Sequence, residues 1–278
     1  MKKILLASAL VALFGTAHAD VTLGGKMRYD LTKADGSAQT SGVTASEIKV
    51  SVSEDLGGGM KATAVVGIDG AGRNETVGGT DAYLTIGGGF GTIKAGQVES
   101  ANGIIGRAYA GAPVIGADGS VLAAKGNIDT IGYTAPAIGG LTFGVSGSRA
   151  VDATTKRSYT LSAAGKVGPV DAGVDYNETT KRVRASASMQ VAGLTVGAGW
   201  SGRETGVADS RAFGVSMPVG PLTVGATRSM GNGTANEVGA QYNLSKRTSV
   251  GVAYQKVEEN SDAAKNVATT RVRLQHTF

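Results

Sequence analysis

The chain has 278 residues, 44 of them glycine and none cysteine, with 41% hydrophobic and 18% charged residues and a formal net charge of +5. Without cysteine there is no disulfide framework, thiolate metal site or cysteine nucleophile, and the apolar content is too high for a disordered chain. Large aliphatic and aromatic residues are nevertheless scarce, so the core is thin or the chain needs no filled core.

Met1-Lys2-Lys3 is a basic start, Ile4 to Ala17 is uncharged and mostly apolar, and Ala17-His18-Ala19 fits a small-residue cleavage site. Residues 1–19 therefore read as a secretory signal peptide, leaving 20–278 as a single domain of formal charge +3. That charge is too small to point to nucleic acid. The longest uncharged stretch, Thr130 to Ser148, holds Pro136 and five glycines and does not suit a spanning helix.

From there the period is two. Ile48, Val50 and Val52 alternate with Glu47, Lys49 and Ser51, and Leu141, Phe143 and Val145 with Thr142, Gly144 and Ser146. The same alternation runs through 182–191 and 271–278. Sixteen such segments follow in chain order, near 21–31, 44–53, 60–69, 80–88, 90–98, 127–135, 140–149, 157–166, 169–177, 181–192, 193–201, 209–218, 221–230, 235–244, 247–257 and 266–278. Most have the roughly 9–11 residues that a tilted strand needs to cross a bilayer. Short connections, such as 88–89 and 167–168, alternate with longer ones, such as 35–42 and 70–79. This pattern predicts an all-β, antiparallel transmembrane β-barrel with turns at one rim and loops at the other. The longest connection, 99–126, has no clear period, and an unstructured stretch of that length is usually functional. Glycines at polar-parity positions, among them Gly144, Gly173, Gly197, Gly225 and Gly239, read as space left in a lumen or relief of strain in the sheet.

Enzyme chemistry finds no footing. Gly197-Ala198-Gly199-Trp200-Ser201-Gly202 has glycine spacing for a dinucleotide but no helix follows it. Only His276 remains beyond the signal segment, and nothing nearby completes a triad or a metal site. No catalytic residue, cofactor or metal is expected.

Several segments together resemble the trimeric general porins of Gram-negative outer membranes, of the β-proteobacterial and neisserial type. They are Ser53-Glu54-Asp55-Leu56-Gly57-Gly58-Gly59-Met60, Ala82-Tyr83-Leu84-Thr85-Ile86 through Gly96, Tyr133-Thr134-Ala135-Pro136, Tyr242-Asn243-Leu244-Ser245-Lys246-Arg247-Thr248 and Arg273-Leu274-Gln275-His276-Thr277-Phe278. The resemblance implies about sixteen strands, a homotrimer in outer-membrane lipid and a third loop folded inward over the pore. It also implies that Phe278 is the signal for the barrel-insertion machinery. The function implied is passive diffusion of small hydrophilic solutes and ions. The alternative is a glycine-rich adhesin or anchor with no conducting pore. Thirteen aromatics remain beyond residue 19, too few to show a pronounced girdle in the sequence.

With the polar parity facing the lumen, the expected basic pore lining is Lys26, Arg28, Lys49, Lys94, Arg184, Arg271 and Arg273. Five of these fall on strands sixteen, one and two, which adjoin in a closed barrel and would form one wall at a shared depth. Basic walls favour anions. Asp30 and Glu47 could instead pair with them locally. The constriction loop would add Glu99, Arg107, Asp118 and Lys125, whose charges cancel.

Overall fold

The computed structural model describes residues 19–70, 77–99, 106–113, 127–148, 157–204, 206–259 and 266–278. Sixteen strands are formed: β1 (Ala19–Ala34), β2 (Thr40–Gly57), β3 (Met60–Asp69), β4 (Gly78–Gly88), β5 (Gly91–Glu99), β6 (Asn127–Thr134), β7 (Leu141–Ser148) and β8 (Ser158–Val167). They continue as β9 (Val170–Asn177), β10 (Val183–Val191), β11 (Leu194–Gly202), β12 (Ser210–Val219), β13 (Leu222–Met230), β14 (Gly233–Asn243), β15 (Thr248–Glu259) and β16 (Val267–Thr277). Each pairs antiparallel with its sequence neighbours, and β1 pairs with β16, so the sheet closes into a barrel with no free edge. Among the described residues no helix is long and apolar enough to cross a membrane.

All sixteen expected strands are present. The largest differences are in β2, which starts four residues earlier and ends four later than its alternation indicated. A bulge opposite Arg28/Tyr29 lets the polar segment Thr40–Val43 stay in the ladder with β1, which the side-chain pattern does not signal. Turns at the rim that holds both termini are short. The β2–β3 turn runs through Gly57, Gly58 and Gly59, all with positive φ. Asp55 Oδ1 accepts a 2.8 Å hydrogen bond from the Gly57 amide. Most connections at the other rim are longer, but β13 and β14 are joined there through Gly231 and Asn232 alone.

The two faces of the sheet are physically opposite. Leu23, Leu84, Ile131, Leu161 and Val238 are more than half exposed and point outward, as lipid-facing residues do. The interior is polar: Asp30, Glu237, Ser229 and Arg184 are buried there. The outward aromatics form two groups. Phe90, Tyr133, Phe143, Tyr242 and Phe278 lie at the turn rim. Tyr159, Phe213 and Tyr254 sit six to eight residues along their strands, about 20 Å at ~3.3 Å per residue. A girdle is therefore present in the fold although the sequence did not display it, because its members come from different strands.

The barrel is sealed beside its terminus. Gly25 and Phe278 exchange two backbone hydrogen bonds of 3.0 and 3.1 Å. The Phe278 ring lies where a Cβ on Gly25 would stand, so glycine there makes room for the terminal aromatic.

Candidate functional site: the lumen and its inward loop

The described part of the long connection, 106–113, lies inside the barrel. Ala108, Tyr109, Ala110 and Ala112 are all buried. Amide-to-carbonyl bonds from Ala110 to Arg107 and from Ala112 to Tyr109 hold its tight turns. Among the contacts that tie it to the wall, Arg107 Nε bonds Asp171 Oδ1 at 2.6 Å, and Ser216 Oγ donates to the Ala110 carbonyl at 2.5 Å.

The seat for this segment is made of missing side chains. A Cβ at Gly197 would overlap the Arg107 carbonyl, one at Gly214 the Tyr109 backbone, and one at Gly239 the Pro113 carbonyl. At Gly225 it would stand 2.8 Å from Ala112 Cβ, and at Gly173 2.8 Å from an Arg107 guanidinium nitrogen. Gly197 pairs with Gly214, and Gly225 with Gly239, so the seat crosses neighbouring strands from β9 to β14. The polar-parity glycines thus let the loop backbone lie directly against the wall. The remaining loop positions, Asp118 and Lys125, lie outside the described residues. Glu99 is the last residue of β5.

All seven expected basic residues sit on the inward face, opposite the exposed apolar rows, and six of them lie on strands outside the loop's seat, Arg184 on β10 being the exception. Their settings differ. Lys26 bonds Glu47 at 2.5 Å. Arg273 is bidentate to Asp30 at 2.7 and 2.8 Å, the fork geometry that makes such pairs strong. Arg271 lies 3.9 Å from Asp30 and 3.3 Å from Thr32 Oγ1. Lys49 bonds Asp81 at 3.0 Å, reaching over Gly67, where β3 carries no side chain. Arg184 pairs with Asp175 at 2.7 Å on β10 and β9, away from the others. Two cations have no direct carboxylate partner among the described residues. Arg28 Nε donates to Gln275 Oε1 at 2.6 Å. Lys94 Nζ stands 3.7 Å from the Tyr83 ring centroid, a cation–π contact.

The five residues on β16, β1 and β2 do not share one depth. Lys49 is in register with Gly24, Lys26 with Glu47, Arg28 with Gln275, Arg273 with Asp30 and Arg271 with Thr32. They span eight positions of β1, about 26 Å along the strand. The ladder register, set partly by the bulge at Arg28/Tyr29, staggers them into a diagonal line.

The described loop segment and the basic wall border a shared cavity. A cavity of about 270 Å³ is bounded by Gly111, Ala112 and Pro113 on one side and by Arg28, Arg273, Gln275, Gln241 and Ser249 on the other. Two guanidinium groups and several neutral hydrogen-bonding groups face this cavity. Sequence reasoning missed Asp81, Tyr83 and Gln275. The apolar series Ala82, Leu84, Ile86 would have placed Asp81 and Tyr83 inward, since they occupy the other parity. Among the described residues no group of His, Cys, Asp and Glu is placed to hold a metal ion.

The sequence profile of the Gram-negative porins matches residues 7–263. A stretch of 114 residues is 35% identical to the major outer membrane protein P.IB of Neisseria gonorrhoeae. It covers 36% of this chain and 33% of that protein, so the match spans about a third of the curated relative's length. Among solved structures, a loop-deletion mutant of OmpT, an outer membrane protein of Vibrio cholerae, aligns with a TM-score of 0.76 at 13% identity, covering 94% of this chain and 99% of that one. A mutant porin of Rh. blastica aligns at 0.74 and 17% identity, covering 93% and 100%. An anion-selective porin from Comamonas acidovorans aligns at 0.71 and 18% identity, covering 94% and 100%. These three likenesses concern the fold. The match of the family profile to most of the chain, together with the closed sixteen-stranded barrel, establishes that the chain belongs to the Gram-negative porins, barrel proteins of the outer membrane.

Proposed function

We propose that the barrel is a water-filled channel for passive diffusion of small hydrophilic solutes and ions, with a weak preference for anions. The observation that carries this reading is the cavity in which Arg28 and Arg273 face the loop segment Gly111–Pro113. Arg273 is compensated by Asp30, so Arg28 supplies the uncompensated charge there, and Lys94 supplies another on the same side of the barrel. Lys26, Lys49 and Arg184 are held in locally compensated pairs, and Arg271 shares the single carboxylate of Asp30 with Arg273, which keeps the preference weak. The described anion selectivity of the Comamonas acidovorans porin agrees with this reading.

The same proposal places the chain in the neisserial and β-proteobacterial type, supported by the 35% identity to the gonococcal protein. It assembles as a homotrimer, is exported by the signal peptide cleaved near Ala19 and is inserted by the barrel-insertion machinery, which reads Phe278. The loop positions Glu99, Asp118 and Lys125 complete the constriction with Arg107. The test is the zero-current potential of the purified protein in a planar bilayer under a KCl gradient. The expected sign is that of chloride preference; a potential on the potassium side would reject the selectivity.

A further inference from the structure

The lipid-facing side of β8–β12 differs from the rest of the barrel. Two adjoining register rows of its outward positions set it apart. One runs Ala163, Val174, Ala185, Trp200, Arg211, and the other Gly165, Ala172, Ala187, Ala198, Phe213, Arg228. In these two rows β8–β11 carry Ala or Gly at every position but Val174 and Trp200, whereas the outward rows on either side carry Leu161, Tyr176 and Val183 or Val170, Met189 and Val196. The result is an open apolar trough of about 660 Å³, in which Arg211 is the only charged lining residue among those described.

The trough has a direction. Its lining begins at Leu141, the first residue of β7 at the turn rim, and ends at Arg211, the second residue of β12 at the loop rim. From β8 to β12 it crosses four strand spacings, about 19 Å. At its head Arg211 and Arg228 lie on adjoining strands, both exposed, and neither has an ion-pair partner among the described residues. In register with Arg228, across Asn236, stands Lys256, which bonds Glu258 at 2.6 Å. Trp200 and Phe213 border the arginines, as aromatics do at a headgroup level.

We propose that this trough and the two arginines form a binding site for an anionic, phosphate-bearing lipid of the outer leaflet. The acyl chain lies along the alanine floor, and the phosphate is held by Arg211 and Arg228. Three physical points support this. A guanidinium fork matches phosphate oxygens in a bidentate manner. An arginine on the lipid face is tolerated near the interface and disfavoured deeper, and both arginines stand within two residues of their strands' loop-rim ends. A groove that is apolar along its length and cationic at one end complements a molecule that is apolar along its length and anionic at one end. The site is on the outside of the barrel, so it is independent of whether the pore conducts.

The test is native mass spectrometry of the folded barrel, released from micelles containing phosphatidylglycerol or a diacylglycerol of the same chains. Phosphatidylglycerol should stay bound and diacylglycerol should not. Inorganic phosphate at the same concentration should fail to displace the lipid, because the trough holds the chain. Joint replacement Arg211→Gln and Arg228→Gln should weaken retention about tenfold, equivalent to ~1.4 kcal/mol. Ala187→Phe fills the trough and should lower retention with both arginines in place. The proposal is overturned if diacylglycerol is retained as well as phosphatidylglycerol, if phosphate displaces the lipid, or if the variants retain it like the wild type. It is equally overturned if Ala187→Phe changes the number of subunits, since the face would then be a contact between copies of the chain.

Discussion

Replacing Arg28 by Gln removes one charge from the wall of the narrow cavity while leaving a side chain that can still bond Gln275. An anion passing about 5 Å from the guanidinium gains ~0.8 kcal/mol in bulk-water dielectric. Salt reduces this. With a Debye length of about 8 Å near 0.15 M, ~0.4 kcal/mol remains, and with about 30 Å at 0.01 M, ~0.7 kcal/mol. The cation is disfavoured by the same amount, so the anion-to-cation ratio should fall about fourfold at the higher salt and about tenfold at the lower. Zero-current potentials in KCl gradients at two mean concentrations measure this directly. The variant should move toward potassium preference, and more so in dilute salt. An unchanged potential at both concentrations would mean that Arg28 does not face the ion path.

Four other perturbations separate the parts of the account. Lys49→Gln with Arg271→Gln should shift the zero-current potential toward cations, whereas Asp81→Asn, which frees Lys49 from its partner, should shift it toward anions. Gly214→Val cannot accommodate the Tyr109 backbone, so the loop should leave its seat and trypsin should cut after Arg107 in folded protein, with the wild type resistant. Deleting Phe278 removes two backbone hydrogen bonds to Gly25 and the ring packed there, each bond contributing about 1 kcal/mol. Fractionation should then find less protein in the outer membrane while export continues.

The strands were legible because a barrel with lipid outside and water inside repeats its polarity every second residue. Leu141, Phe143 and Val145 declare their face without reference to any other strand. The same parity puts Arg28 and Arg273 inward. What it could not reveal depends on residues far apart in the chain. Ala110 meets Ser216, and Lys49 meets Asp81 only because Gly67 stands between them. The depth of each cation follows from ladder register and one bulge, which leave little trace in composition. The glycine seat was visible as an excess of glycine on the polar parity, but its purpose appears only with the loop in place.

The central claim is that the barrel encloses an open, water-filled path narrowed but not closed by the 106–113 segment. Single-channel recording of the purified wild type in a planar bilayer tests it most directly. Discrete, ohmic current steps whose size rises with salt concentration are the predicted result. Stable insertion of folded protein with no current would contradict the account and leave a barrel that anchors without conducting.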